Sequence, residues 1–295
     1  MANWSRDFKI KTGINVTYDS VGSGKGIQAI TGRTVDFGAS DAPFTPDQAA
    51  ACNGCVMIPW ALTATAFSFN VPGVHGLKMT GGMVAMIYQG KITNWNDKRI
   101  KKLNPKAHLP NLAITPVFRS DGSGDTYAVT DYLSKVSGSW KNSIGKGTSV
   151  GFPAGVGGNG NAGIQGVVNT TKGSIGYLSA SYAIATGLPV VALKNKGGKF
   201  ELPNLKKIVA AAATIHRVPK TNEMHIVDPP KSAKNAYPLS TFTYCLAPHG
   251  APQKGDLSRF VLYAMTQGQK YGLALDFAPL PKVVLSAAKR TLNGL

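Results

Sequence analysis

Apolar and polar positions along the chain change period repeatedly, and the changes outline alternating helices and strands. Trp4 and Phe8 lie one helical turn apart ahead of Gly13, which predicts a helix stopped by a glycine. Ile14, Val16 and Tyr18 then alternate with polar residues, as a strand with one buried face does. Residues 20–26 form a glycine-rich turn leading into the helical run 27–30. Residues 34–43 read as a short strand closed by a polar turn. Thr65, Phe67, Phe69 and Val71 alternate up to Pro72-Gly73, and Met83, Met86 and Ile87 share a helical face. The apolar run 113–118 reads as a strand, and Val129, Tyr132, Leu133 and Val136 recur at helical spacing after it. A third glycine-rich turn at 155–164 enters a helix ending near Gly173, and residues 174–178 resume strand character. Residues 194–235 are rich in lysine and proline with weak periodicity, apart from a helical stretch at 205–215, so surface excursions are expected there. Strand character returns at 237–242. Two amphipathic helices close the chain, one through Leu257, Phe260, Val261, Ala264 and Met265 and one over 283–292. Alternating strands and helices of mixed length predict an α/β fold.

Length and charge narrow this picture. With 295 residues and 43% apolar content the chain can bury a large core, and two domains are favoured over one. A net charge of +18 points to anionic partners, from small anions to polymers. Nucleic acid is not expected: the basic runs at 98–102 and 206–207 are short, carry no interleaved aromatics and accompany no recognition motif. No run is long and apolar enough to span a bilayer, and no signal peptide is visible. Cys52 and Cys55 form a lone Cys-Asn-Gly-Cys pair, too few ligands for a zinc site. A local disulfide in an exported protein is the preferred reading, with a redox dithiol the alternative. Cys245, in an apolar run, is expected in the core.

The chemistry centres on Arg119-Ser120-Asp121-Gly122-Ser123-Gly124-Asp125-Thr126, where the predicted strand turns into a helix. A helix N-terminus exposes unpaired N–H groups and the positive end of its dipole, and glycines let a ligand come close. Arg119 adds a planar permanent cation. Two readings stand: an oxyanion pocket, or a polar capping turn in which Arg119 and Asp121 pair. Ser23 sits in a similar turn, which has the outline of a P-loop but lacks its first glycine and its magnesium-binding hydroxyl. Asp41 directly follows a strand, a usual place for functional groups in α/β sheets, although capping a turn explains it equally well. The 5 histidines are dispersed without paired spacing or an acidic neighbour, and Ser123 lacks the Gly-x-Ser-x-Gly elbow. With no candidate base, no metal cluster and no cofactor motif, binding is favoured over catalysis.

Five motifs, in order, bring the chain to a known family. Thr34-Val35-Asp36-Phe37-Gly38-Ala39-Ser40-Asp41-Ala42-Pro43, Gly90-Lys91-Ile92-Thr93-Asn94-Trp95, Arg119-Ser120-Asp121-Gly122-Ser123-Gly124, Gly157-Gly158-Asn159-Gly160-Asn161-Ala162-Gly163 and Gly173-Ser174-Ile175-Gly176-Tyr177 together resemble the phosphate-binding proteins of ABC phosphate importers. The resemblance implies a type II periplasmic-binding-protein fold, with a first domain of residues 1–71 and 236–295, a second of 72–235, and a cleft between them. It implies inorganic phosphate as ligand, no metal or cofactor, a membrane permease as partner, a monomeric state, and a periplasmic or cell-surface location. Ser23, Asp41, Arg119, Ser123 and Gly124 match the family's phosphate-binding positions, with Asp121 holding Arg119. A phosphatase or phosphoester-binding enzyme in the same pocket is the alternative.

Two departures qualify the match. The family's threonine after Gly124 is Asp125 here. Its backbone N–H can still bind, while its carboxylate either turns outward to cap the helix, the favoured reading, or makes the site prefer a more protonated phosphate. Thr126 can supply the missing hydroxyl only if the turn shifts. The family's opening strand and its Thr-Phe phosphate loop are also absent from the residues before Trp4, so an incomplete sheet and a half-open site wall are expected.

Overall fold

The computed structural model describes residues Met1 to Leu295. Its nine strands are β1 (Gly38–Ser40), β2 (Cys55–Phe69), β3 (Leu77–Met79), β4 (Thr115–Arg119), β5 (Val156–Gly158), β6 (Ser174–Ser179), β7 (Val191–Lys194), β8 (Phe200–Glu201) and β9 (Ser240–Pro248). Six of them form one mixed sheet in the order β1-β9-β2-β6-β4-β5, and the others form a small sheet in the order β3-β7-β8. The α/β class expected from the alternation is the one observed.

The 15-residue β2 lies in the middle of the six-stranded sheet. Its residues 55–64 pair with β9 and its residues 65–69 with β6, both antiparallel, so the partner changes between Ala64 and Thr65. Helices cover the strand, including Lys282–Asn293 on its first half, and nearly all of its residues are buried. Burial on both faces produces a continuous apolar run rather than alternation. For that reason the sequence pattern marks the strand only from Thr65 onward. On the far side of the sheet β4 runs parallel to both β5 and β6, which places Arg119 at the carboxyl end of its strand.

Residues 14–18, expected as a strand, pair with nothing. Ile14 and Val16 are half-buried and their neighbours exposed, so the alternation is real. A ladder needs a neighbour, however, and β1, beyond the intervening groove, bonds only to β9. Between residues 17–22 and β1 lies a groove of about 770 Å³.

The expected surface excursion after residue 194 is partly core. Met224, Ile226 and Val227 are buried. The Asn222 amide donates to the Met57 carbonyl (2.7 Å) and to Thr291 Oγ1 (2.8 Å), and the Met224 N–H donates to the Tyr244 hydroxyl (3.2 Å). Irregular backbone can be buried when such bonds satisfy it, and it then shows no periodicity to read. The Cys52 and Cys55 sulfurs are bonded at 2.06 Å, with the Arg33 guanidinium donating to the carbonyls of Cys52 (2.8 Å) and Asn53 (2.9 Å). Cys245 is a buried free thiol in β9.

Helix Ser23–Thr31 lies directly on β1 through two glycines. A Cβ on Gly26 would stand 2.6 Å from the Ala39 carbonyl oxygen, and one on Gly38 would stand 2.6 Å from the Gly26 carbonyl oxygen. Either methyl must push helix and strand apart, and overpacking of this kind costs about 1–3 kcal/mol. Gly26→Ala is therefore expected to lower the melting temperature by several degrees, whereas Gly76→Ala, with open space around it, leaves it nearly unchanged. Equal melting points for the two variants would contradict the close approach.

Candidate functional site

Two helix N-termini meet at the centre of the molecule. Helix Ser23–Thr31 follows Gly22, whose φ of 86° is a conformation suited to glycine. Helix Gly124–Val136 follows Ser123, whose Oγ accepts from the N–H groups of Asp125 (3.1 Å) and Thr126 (3.4 Å). The Gly24 N–H donates to the Gly122 carbonyl at 2.9 Å, which ties the two turns together. A Cβ on Gly124 would fall 2.6 Å from both Asp41 Cβ and Ser23 Oγ. The two helix starts and Asp41 therefore approach so closely at this point that only glycine fits.

Asp41 enters from the end of β1, and its N–H donates to Ser23 Oγ at 3.2 Å. Arg119 enters from the end of β4 and is buried. Its Nε and one terminal nitrogen form a fork on the two oxygens of Asp121 (2.6 and 2.5 Å). Its other terminal nitrogen donates to Asp125 Oδ2 at 3.2 Å and to Asn161 Oδ1 at 3.4 Å. The Gly160 N–H adds a bond to Asp121 Oδ1 at 2.9 Å, so the third glycine-rich turn braces the arginine's partner.

Ser23, Asp41, Arg119, Asp121, Ser123, Gly124 and Asp125, all named from the sequence, line one cavity of about 570 Å³. Asp125 does not turn outward. It is only 8% exposed and accepts from Thr65 Oγ1 at 2.6 Å as well as from Arg119. A buried cation and a buried hydroxyl draw the carboxylate inward more strongly than the helix dipole holds it at the surface. Thr126 supplies no hydroxyl to the cavity; it is buried and bonded to the Tyr177 hydroxyl at 2.8 Å. Sequence reasoning missed Thr65, Tyr177, Asn161 and Thr243. The first two sit within apolar strand runs where a hydroxyl reads as filler. Asn161 lay in a glycine-rich turn already noted, and an amide so placed was the available signal.

The carboxylates crowd one another. Burial and the facing charge of Asp125 push Asp41 up to about 7, against the pull of Thr243 and Arg119. Burial also pushes Asp125 up, and Arg119 and Thr65 only partly offset it. Burial acts on Asp121 in the same sense, but the Arg119 fork and the Gly160 N–H outweigh it and hold that carboxyl below its ordinary value. The result is a polar pocket with two dipole ends, one shared guanidinium and two acids that ionise reluctantly.

Residues 1–269 match the model of the PBP superfamily domain. The chain is 37% identical over 290 residues to the phosphate-binding protein PstS of Pasteurella multocida, covering 96% of this chain and 83% of that one. The chain belongs to the PstS-like phosphate-binding proteins. The PstS of Methanocaldococcus jannaschii is 33% identical, with 98% of this chain and 82% of that one covered. Among solved structures, the ancestral soluble variant of the human phosphate-binding protein superposes with a TM-score of 0.76 at 19% identity, covering 98% of this chain and 90% of that one. A high-affinity periplasmic phosphate-binding protein solved with phosphate gives 0.75 at 20% identity, covering 94% and 87%. A phosphate ABC transporter substrate-binding protein from Clostridium perfringens, also with bound phosphate, gives 0.67 at 18%, covering 95% and 94%. The fold of this family member is thus the one its motifs imply.

The contact at Gly124 gives this arrangement a direct check. Gly124→Ala is expected to fold normally but to hold the two helix starts apart, giving a larger radius of gyration in small-angle scattering. An unchanged radius would mean that the contact does not limit closure.

Proposed function

We propose that the cleft captures inorganic phosphate and that the protein delivers it, from the periplasm or cell surface, to the membrane permease of an ABC importer. One observation carries this reading: two helix N-termini, the fork-held Arg119 and the acceptor Asp41 converge on one cavity. The N–H groups left free at the two helix starts, those of Gly24, Asp125 and Thr126 being taken by the Gly122 carbonyl and Ser123 Oγ, supply donors with Arg119 to unprotonated oxygens. Asp41 supplies the acceptor that a protonated phosphate needs and a fully ionised sulfate cannot use. The binding set is Ser23, Asp41, Arg119, Ser123, Gly124 and Asp125, with Asp121 positioning the arginine. The names of the relatives and the phosphate present in two of the superposed structures support the choice of ligand.

Closure follows from the architecture. Residues 1–71 with 236–295 form one unit and 72–235 the other, and β2, which pairs with β9 of the first and with β6 of the second, reaches from one to the other as the hinge. Each half contributes one helix end, so the ligand binds fully only when the halves meet. The phosphatase alternative finds little support, since no histidine lines the cavity and the Ser123 hydroxyl is engaged as a cap.

Each charge-assisted hydrogen bond is worth about 1.5–3 kcal/mol, and a buried acceptor left facing sulfate costs a similar amount. Calorimetry is expected to show saturable phosphate binding that excess sulfate does not compete away. Asp41→Asn is expected to narrow the phosphate-to-sulfate ratio more than it weakens phosphate. Equal affinity for both anions in the unmodified protein would reject the reading, and an unchanged ratio in the variant would reject the role of Asp41.

A further inference from the structure

The cavity holds more acceptor capacity than one hydrogen phosphate can satisfy. Asp121 accepts three bonds, two from the Arg119 fork and one from the Gly160 N–H. Asp125 is not: each of its oxygens accepts one bond, from Thr65 and from Arg119, and a carboxylate oxygen can accept two. It lines the cavity beside Asp41, whose carboxylate it repels. Two acceptor-only groups therefore face one ligand, and the nearest guanidinium is already divided between two acids.

We propose that Asp41 and Asp125 together make this a site for dihydrogen phosphate, in which each P–OH of the monoanion donates to one of the two carboxylates. This rests on the phosphate reading of the cleft. Arg119 and the helix N-termini then hold the two unprotonated oxygens, so every polar group on both sides is matched. The hydrogen phosphate dianion has one P–OH, and its entry would set a bare oxygen against the second carboxylate. It can be held only if one of the acids brings a proton. By either route the closed complex contains two protons shared among phosphate, Asp41 and Asp125. A site with Asp41 as its single acid needs one.

The other ionisable groups around the pair are Tyr18, Lys25, Asp121, Arg119, Tyr177 and Tyr182, with Tyr244 and Cys245 behind Asp41 on β9. Burial pushes Tyr18 up to about 12 and moves Tyr177, Tyr244 and Cys245 upward as well. Arg119 is raised and Asp121 lowered by their mutual fork, so none of these six changes charge near neutrality. Lys25 and Tyr182 are common to every variant compared below, so differences between variants isolate the two acids.

The second ionisation of free phosphate lies near neutral pH. Above it, capture must draw a proton from solvent, and affinity is expected to fall about tenfold per pH unit. The test is calorimetric titration of the full chain with sodium phosphate from pH 6 to 9 at fixed ionic strength, in buffers of contrasting ionisation enthalpy. The expected result at pH 8–9 is uptake of about one proton per phosphate bound. Asp125→Thr and Asp125→Asn are expected to flatten the slope, each taking up less than one proton per phosphate at pH 8–9. A flat profile with no proton uptake in the unmodified protein overturns the proposal, as does an identical slope in all three proteins. Should the variants melt before they can be titrated, the proton count of the unmodified protein decides alone. Failure of all three to bind phosphate at any pH would instead remove the phosphate reading itself.

Discussion

A guanidinium that is almost wholly removed from water has to be matched on each of its faces, and at Arg119 that requirement recruits most of the molecule. Asp121 takes the fork, Asp125 takes the remaining nitrogen, and Asn161 approaches from a third turn. Each partner is itself anchored: Asp121 by Gly160, Asp125 by Thr65, and Asn161 by the N–H of Ser179 at 3.1 Å. The Arg119 N–H reaches the Tyr177 hydroxyl at 3.1 Å. Three strands, β2, β4 and β6, and the start of the helix Gly160–Thr170 thereby hold one cation in place. Removing any one acid would leave a buried charge underpaired, which costs far more than the same change at a surface.

The same network shapes what the cleft can accept. An arginine whose donors are already committed offers less net positive charge than its formal value, so helix dipoles and protein-borne protons must supply the rest. A small tetrahedral anion with hydrogens of its own suits such a pocket, since it can donate as well as accept. The cavity is lined by Asp41, Asp121 and Asp125 against Arg119 and Lys25, so the chain's +18 is not concentrated there.

Much of this was legible in the sequence, and the parts that were not share a cause. Strand-to-helix turns containing glycine and serine announced both helix ends, because the local geometry and the chemistry need the same residues. The motif order brought Asp41 and Arg119 to one site although 78 positions separate them in the numbering. What local pattern could not report was direction. Asp125 could face outward or inward, and the deciding partner, Thr65, lies on a strand with no local cue. Residues 14–18 failed as a strand for the complementary reason, since their own pattern was right but no partner lay alongside. Met224, Ile226 and Val227 were hidden because irregular core has no period.

Thr65 also occupies the position at which β2 exchanges one ladder for the other. Its N–H donates to the Leu239 carbonyl (3.0 Å), its carbonyl accepts from the Tyr237 hydroxyl (3.0 Å), and its side chain holds Asp125 at 2.6 Å. A twist of β2 at that peptide therefore pulls directly on a carboxylate that lines the cavity. One threonine thus ties the point where the ladder changes partner to the wall of the cavity.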